Sequence, residues 1–200
     1  MDESKHALRV AVLSQRHLLP TAKFEALSRT IQARVLGSSL YRFAQGIALY
    51  SAMQNEVSTD DIRDDALRIG KSVFFPRLGA GGGLVFVEIQ SAADLAPGRF
   101  GIPEPNGENL LGHYGDIDLL IVVPGVAFDH NGNRLGRGQG FYDRLLQSSG
   151  PRVTAIGLAY EFQVVKSVPV DSWDEKVRFI VTEDRFIDCQ GVQEHTKPVC

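Results

Sequence analysis

Residues 118–146 read DLLIVVPGVAFDHNGNRLGRGQGFYDRLL. The stretch opens on a continuous apolar run, Leu119 to Val123, turns at Pro124, and then sets five glycines between Gly125 and Gly140. Arg134 and Arg137 stand among the glycines, and Phe141-Tyr142-Asp143 closes the loop. An unbroken apolar run of this kind suits a strand covered on both faces. A helix fits from about Gly140 to Gln147. Strand, glycine-rich loop and helix is the order by which α/β proteins hold phosphate. Loop N–H groups point at the anion and the helix dipole adds partial positive charge.

The flanking sequence supports that class. Short β-rich runs occur at 46–52, 71–76, 84–89, 153–160 and 178–183. The first 43 residues read as helix, with Thr21 as an N-cap and Phe24, Leu27, Ile31 and Val35 at spacings of three and four. A further helix, capped by Ser58 or Thr59, ends at Gly70. Strands alternating with helices predict an α/β fold, a single-domain three-layer sandwich around a mixed, mostly parallel central sheet. The domain is expected over residues 1–188, with a flexible, dispensable tail at 189–200. Residues 97–115, rich in proline and glycine, read as an irregular loop able to cover a substrate.

The chain has 200 residues, 44% hydrophobic and 22% charged, which is globular composition for one sizeable core. A net charge of −3 gives no global basic field for nucleic acid, so any anion site must be local. No run approaches the roughly 20 apolar residues of a membrane span. The N-terminus lacks a secretory apolar run, and the two cysteines, Cys189 and Cys200, suggest no disulfide framework. A cytoplasmic protein is the expectation, with no nucleic-acid or membrane partner, and a monomer is the simplest state.

The loop core, Gly136-Arg137-Gly138-Gln139-Gly140, is neither a Walker A loop nor a dinucleotide fingerprint, because the following residues and the glycine spacing differ. Arg134 and Arg137 offer charge-assisted, bidentate contacts to phosphate. Asp143, in the first helical turn, suits the helix dipole and is also a candidate for Mg²⁺, which prefers oxygen ligands and bound phosphate. The competing reading is a glycine-rich turn with solvated arginines and a structural aspartate. Lys5 and Arg9, four apart, share one helix face. Read alone they are a solvated basic face, Glu56 and Asp174 are loop acids, and Phe141, Tyr142 and Trp173 are as well explained by packing. The histidines show no metal-ligand spacing.

At this point the residues become specific. VPGVAFD, the RLGRGQG loop and the aromatic pair before Asp143 resemble the signature of the 5-formyltetrahydrofolate cyclo-ligases. KHALR, NEVST, GKSVFFPR, GIPEP and VPVDSWDEKVRFIVTE resemble further blocks of that family, in order, from about Lys5 to Glu183. The resemblance implies an ATP- and Mg²⁺-dependent ligase of one-carbon metabolism that converts 5-formyltetrahydrofolate to 5,10-methenyltetrahydrofolate. It assigns Lys5, Arg9, Arg134, Gly136, Arg137, Gly138, Gln139, Gly140, Phe141 and Tyr142 to the nucleotide. Glu56, Phe141 and Tyr142 go to the folate, Asp143 and Asp174 to Mg²⁺, and Arg137 and Tyr142 to catalysis. Two positions depart from the common pattern: Gln139 stands where many relatives have Lys or Gly, and Phe141 replaces a frequent Tyr.

Overall fold

The computed structural model describes residues 3–98, 101–112 and 116–190. The N-terminal part is helical: α1 (Glu3–His17), α2 (Thr21–Leu36) and α3 (Ser39–Phe43) precede strand β1 (Gly46–Ala48). Helix α4 (Asp60–Arg68) leads to β2 (Ser72–Leu78) and β3 (Leu84–Ile89), followed by the short strands β4 (Leu95–Pro97) and β5 (Pro103–Pro105). Strand β6 (Leu119–Val123) then opens the loop that carries β7 (Ala127–Asp129) and β8 (Arg134–Leu135), and α5 (Phe141–Gln147) closes it. Strands β9 (Val153–Leu158), β10 (Val164–Val165), β11 (Phe179–Val181) and β12 (Phe186–Asp188) complete the chain.

Seven strands form the central sheet in the order β12-β11-β9-β6-β1-β2-β3. The five inner strands are parallel, and β3 and β12 pair antiparallel at the two edges. Alternate residues of β6 face opposite layers. Leu120 and Val122 pack with Ile31, Val35, Ile62 and Ala66 beneath α2 and α4. Leu119, Ile121 and Val123 pack with Phe128 and Leu145 beneath the loop and α5. Both faces are therefore apolar, as the unbroken run requires. This is the mostly parallel three-layer sandwich that the strand and helix alternation implies.

The strand order reverses between β1 and β6: β2 lies on one side of that pair and β9 on the other. The crevice outside the carboxyl ends of strands at such a switch point is where open α/β sheets bind ligands. The loops after β1 and β6 open there. Phe128 locks the second loop to the sheet. A Cβ on Gly125 or Gly157 would lie 2.3 or 2.4 Å from its ring, so both positions need glycine for that close approach.

Some local expectations change. Pro20, not Thr21, occupies the N-cap of α2, with no side-chain cap. Thr59 stands at the N-cap of α4, but its hydroxyl donates to the Tyr50 carbonyl instead (2.8 Å). Gln32 of the neighbouring helix accepts from the Asp61 and Ile62 N–H groups (2.8 and 3.3 Å), and Ser58 accepts from that of Asp60 (3.1 Å). The stretch 97–115 is not wholly irregular, since β5 lies in it. Residues 99–100 and 113–115 of it, and 191–200 of the expected tail, lie outside the described residues. Cys189 packs against the core, and burial is the main cause that raises its thiol to a pKa of about 11. Among the described residues no helix is long and apolar enough to cross a membrane.

Candidate active site

A cavity of about 1030 Å³ opens at the switch point. Its floor and walls come from the ends of β1 and β2 (Tyr50, Ser51, Pro76, Arg77), from α1, from the glycine loop with α5, and from residues 171–174. Every site residue singled out from the sequence lines it: Lys5, Arg9, Glu56, Arg134, Gly136 to Asp143 and Asp174.

The loop is shaped by its glycines. Gly138 (φ 98°) and Gly140 (φ 64°) adopt left-handed conformations that side chains disfavour. A Cβ at Gly136 would meet open space, so that residue contributes backbone access instead of a tight turn. Helix α5 has only seven residues, so its dipole is a smaller asset than a longer helix would offer. Positive charge comes chiefly from side chains. Lys5, Arg9, Val12 and Arg16 recur along one face of α1, which places three cations against the body of the protein.

Those cations are held by protein oxygens. Lys5 Nζ donates to Asp171 (2.7 Å) and Asp174 (2.6 Å). Burial disfavours the charged lysine, but the two carboxylates outweigh it and its pKa is raised. Burial likewise opposes ionisation of Asp174, yet the hydrogen bonds from Lys5 and from the Asp171 N–H hold its carboxyl below the usual value. Arg9 Nε donates to the Gly136 carbonyl (2.8 Å). Arg134, almost fully buried, donates to Asp143 Oδ1 (2.7 Å), which also accepts from the Glu175 N–H (3.2 Å). Arg144 bends back to the Gln139 carbonyl (3.1 Å) and lies over the Phe141 ring.

Glu56 marks the opposite wall. It is buried, and Arg137 reaches it from the loop, with Nη2 and Nε at 3.0 and 3.4 Å from Oε1. Arg137 Nη1 also donates to the Gln54 side chain (2.9 Å). Tyr142 lies close by. Burial first, and then the Glu56 charge, push its phenol well above the ordinary tyrosine range, so it remains a proton donor at neutral pH. Trp173, which packing alone seemed to explain, is 64% exposed at the cavity rim.

Sequence reasoning missed Asp171, Arg16 and Gln54. Asp171 lies three residues before Asp174, in the block already quoted, and Gln54 lies two before Glu56. Arg16 extends the Lys5–Arg9 face by two turns, a periodic signal that was present but unread. Among the described residues no group of three or more His, Cys, Asp or Glu side chains is placed to hold a metal ion.

The sequence profile of the 5-formyltetrahydrofolate cyclo-ligase family matches residues 1–183. The chain belongs to that family. Relatives named 5-formyltetrahydrofolate cyclo-ligase include the mouse protein, 29% identical over 92% of this chain and 96% of its own length. Another is that of Haemophilus influenzae, 32% identical over 86% of this chain and 94% of its own. The NMR structure of Aquifex aeolicus 5,10-methenyltetrahydrofolate synthetase superposes with a TM-score of 0.83, at 31% identity, covering 98% of this chain and 99% of that one. A family likeness over almost the full length thus coincides with a cavity lined by every site residue singled out from the sequence.

Proposed function

We propose that this chain is a 5-formyltetrahydrofolate cyclo-ligase, joining the formyl carbon to folate N10 at the expense of MgATP. The observation that supports this best is one cavity, about 1030 Å³, in which the phosphate-type loop and the folate-type carboxylate face each other. Its size is at the upper end of the range for a single small-molecule site, as two co-substrates require.

An amide-like formyl group is a weak electrophile with a poor leaving group. In the proposed sequence the formyl oxygen attacks the γ-phosphorus, the bond to the bridging oxygen breaks, and ADP leaves. The N10 lone pair then attacks the formyl carbon within the same molecule, which gains from high effective concentration. The C–O bond breaks with its electron pair on phosphate, N10 passes its proton to the departing phosphate, and the ring closes. Lys5, Arg9, Arg134 and Arg137, with the loop N–H groups and the Gln139 amide, bind the triphosphate. Arg137 stabilises charge on the transferring group. Glu56 accepts hydrogen bonds from the pterin N–H groups, Phe141 packs on the ring, and the Tyr142 phenol orients the formyl oxygen.

Two pairs make the polyphosphate site self-consistent. Lys5 and Arg134 each hold a carboxylate that the resemblance assigns to Mg²⁺. Both hydrogen bonds to Asp143 fall on Oδ1, and both to Asp174 on Oδ2, so each keeps one oxygen for a further ligand. Two carboxylates with no third protein ligand fit Mg²⁺, which keeps water and takes phosphate oxygens. Asp143 and Asp174 would hold the ion, which would neutralise phosphate charge during transfer. Growth of methenyl-folate absorbance in the near ultraviolet on mixing enzyme, MgATP and 5-formyltetrahydrofolate tests the reading. No growth above the enzyme-free control would overturn it.

A further inference from the structure

Two arginines face Glu56, and they differ sharply. Arg137 stands on the loop with its side chain 36% exposed, and it hydrogen-bonds the carboxylate directly. Arg16 comes from α1 with its side chain 1% exposed, and its Nη2 stops 3.6 Å from Glu56 Oε1. That Nη2 has no hydrogen-bond partner; among the described residues no other buried side-chain nitrogen or oxygen is in this state. A buried donor left unsatisfied is costly, and here only the carboxylate charge compensates it.

The rest of Arg16 is fastened to the turn that carries Glu56. Its Nε donates to the Gln54 carbonyl (3.1 Å), and its own carbonyl accepts from the Asn55 side chain (3.2 Å), which also donates to the Leu19 carbonyl (3.4 Å). Gln54 (φ 50°) and Asn55 (φ 58°) are both left-handed. Non-glycine residues hold that conformation only where their surroundings impose it. The Glu56 carboxylate also accepts from the Met53 N–H (3.2 Å). Its position is thus set by a strained turn clamped onto the end of α1.

We infer that Arg16 is the positioning residue of Glu56, the permanent counter-ion that holds its carboxylate aimed into the cavity once Arg137 turns to the phosphates. The charge balance makes the role necessary. In the structure two cations share one carboxylate. When the loop arginine leaves for the triphosphate, one cation and one anion remain, a balanced buried pair. Without Arg16, the departure of Arg137 would strand a buried carboxylate. The inference rests on the reading that Glu56 binds the pterin.

A double-mutant cycle tests it. Binding of 5-formyltetrahydrofolate, in the presence of Mg²⁺ and a non-hydrolysable ATP analogue, is measured by calorimetry for Arg16→Gln, Arg16→Lys, Glu56→Gln and the doubles. Arg16→Gln should weaken folate binding about tenfold or more, and Arg16→Lys, which keeps the charge but lacks the Nε bond, only about threefold. Neither loss should persist in the Glu56→Gln background. Losses that add to that of Glu56→Gln, or a lysine variant as weak as the glutamine one, would overturn the role. If Arg16→Gln does not fold, the Arg16→Lys cycle decides by the same criterion. Unchanged folate binding in Glu56→Gln alone would remove the reading of Glu56 and this inference with it, whereas a weakened Glu56→Gln with additive Arg16 losses would remove only the inference.

Discussion

At the proposed polyphosphate end of the cavity, Lys5 rests on Asp171 and Asp174, and Arg134 on Asp143, of which Asp143 and Asp174 are the proposed Mg²⁺ ligands. At the proposed pterin end, Glu56 faces a partly exposed loop arginine, Arg137, and a buried one, Arg16. Under the proposed function the first arrangement suits exchange, because Lys5 and Arg134 can pass to phosphate while Asp143 and Asp174 pass to the metal. The second is built for retention, because Arg16 and the Gln54–Asn55 turn are buried or strained in place. Arg137 belongs to both ends. It is the one loop cation here that holds the carboxylate of the opposite wall, so under the proposed function nucleotide binding and release of the Glu56 carboxylate would be linked through a single side chain.

Breaking that link should have the largest effect. Arg137→Ala is expected to lower kcat/KM by roughly 10²- to 10³-fold, the scale of removing one transition-state donor, with a melting temperature close to that of the parent. Steady-state kinetics and thermal unfolding check both halves. Next comes the exchange end. Asp143→Asn removes a proposed Mg²⁺ ligand and the Arg134 counter-charge, and should raise the Mg²⁺ concentration for half-maximal turnover by about tenfold or more. A metal titration reads it directly. The retention end is probed by Asn55→Ala, which forces alanine into a left-handed conformation and deletes the bonds to the Arg16 and Leu19 carbonyls. Destabilisation of about 1–2 kcal/mol is expected in urea, with weaker binding of folate than of nucleotide.

The smallest effect is a pH dependence. Asp174 titrates below its ordinary 3.8 in the folded chain. The stability it contributes is therefore present above that value and is lost as pH falls through the folded one. Lys5 is raised above 10.5, so its share is complete below that value and is lost only as pH rises through the folded one. The difference in melting temperature between the parent and Asp174→Asn should stay flat through the neutral range and close only in acid or in strong alkali. A gap that changes near neutrality would contradict this pairing.

The two ends also differed in how far the sequence revealed them. The loop part of the exchange end, Arg134 to Asp143, is written in one contiguous block, where the glycine spacing, the arginines and the apolar strand sit side by side, whereas Lys5 and Asp174 meet across 169 residues. The long strands were legible for the same reason. The retention end depends on Arg16, a cation on an otherwise amphipathic helix, which looks solvated until another element packs over it. Strands β7, β8 and β10, of two or three residues, are too short to show a period. Ser58 supplies the local part of the α4 cap, but the rest comes from Gln32 of α2, two helices earlier, and no local pattern announces it.

Trp173 is the single tryptophan of the chain, and it stands exposed at the rim of this cavity. The one indole of the chain thus stands beside the entrance, and excitation at its red edge separates it from the five tyrosines. Its emission offers an unlabelled optical record of occupancy, in which quenching by a pterin ring could be followed in time, separately from turnover, and compared variant by variant across the two ends.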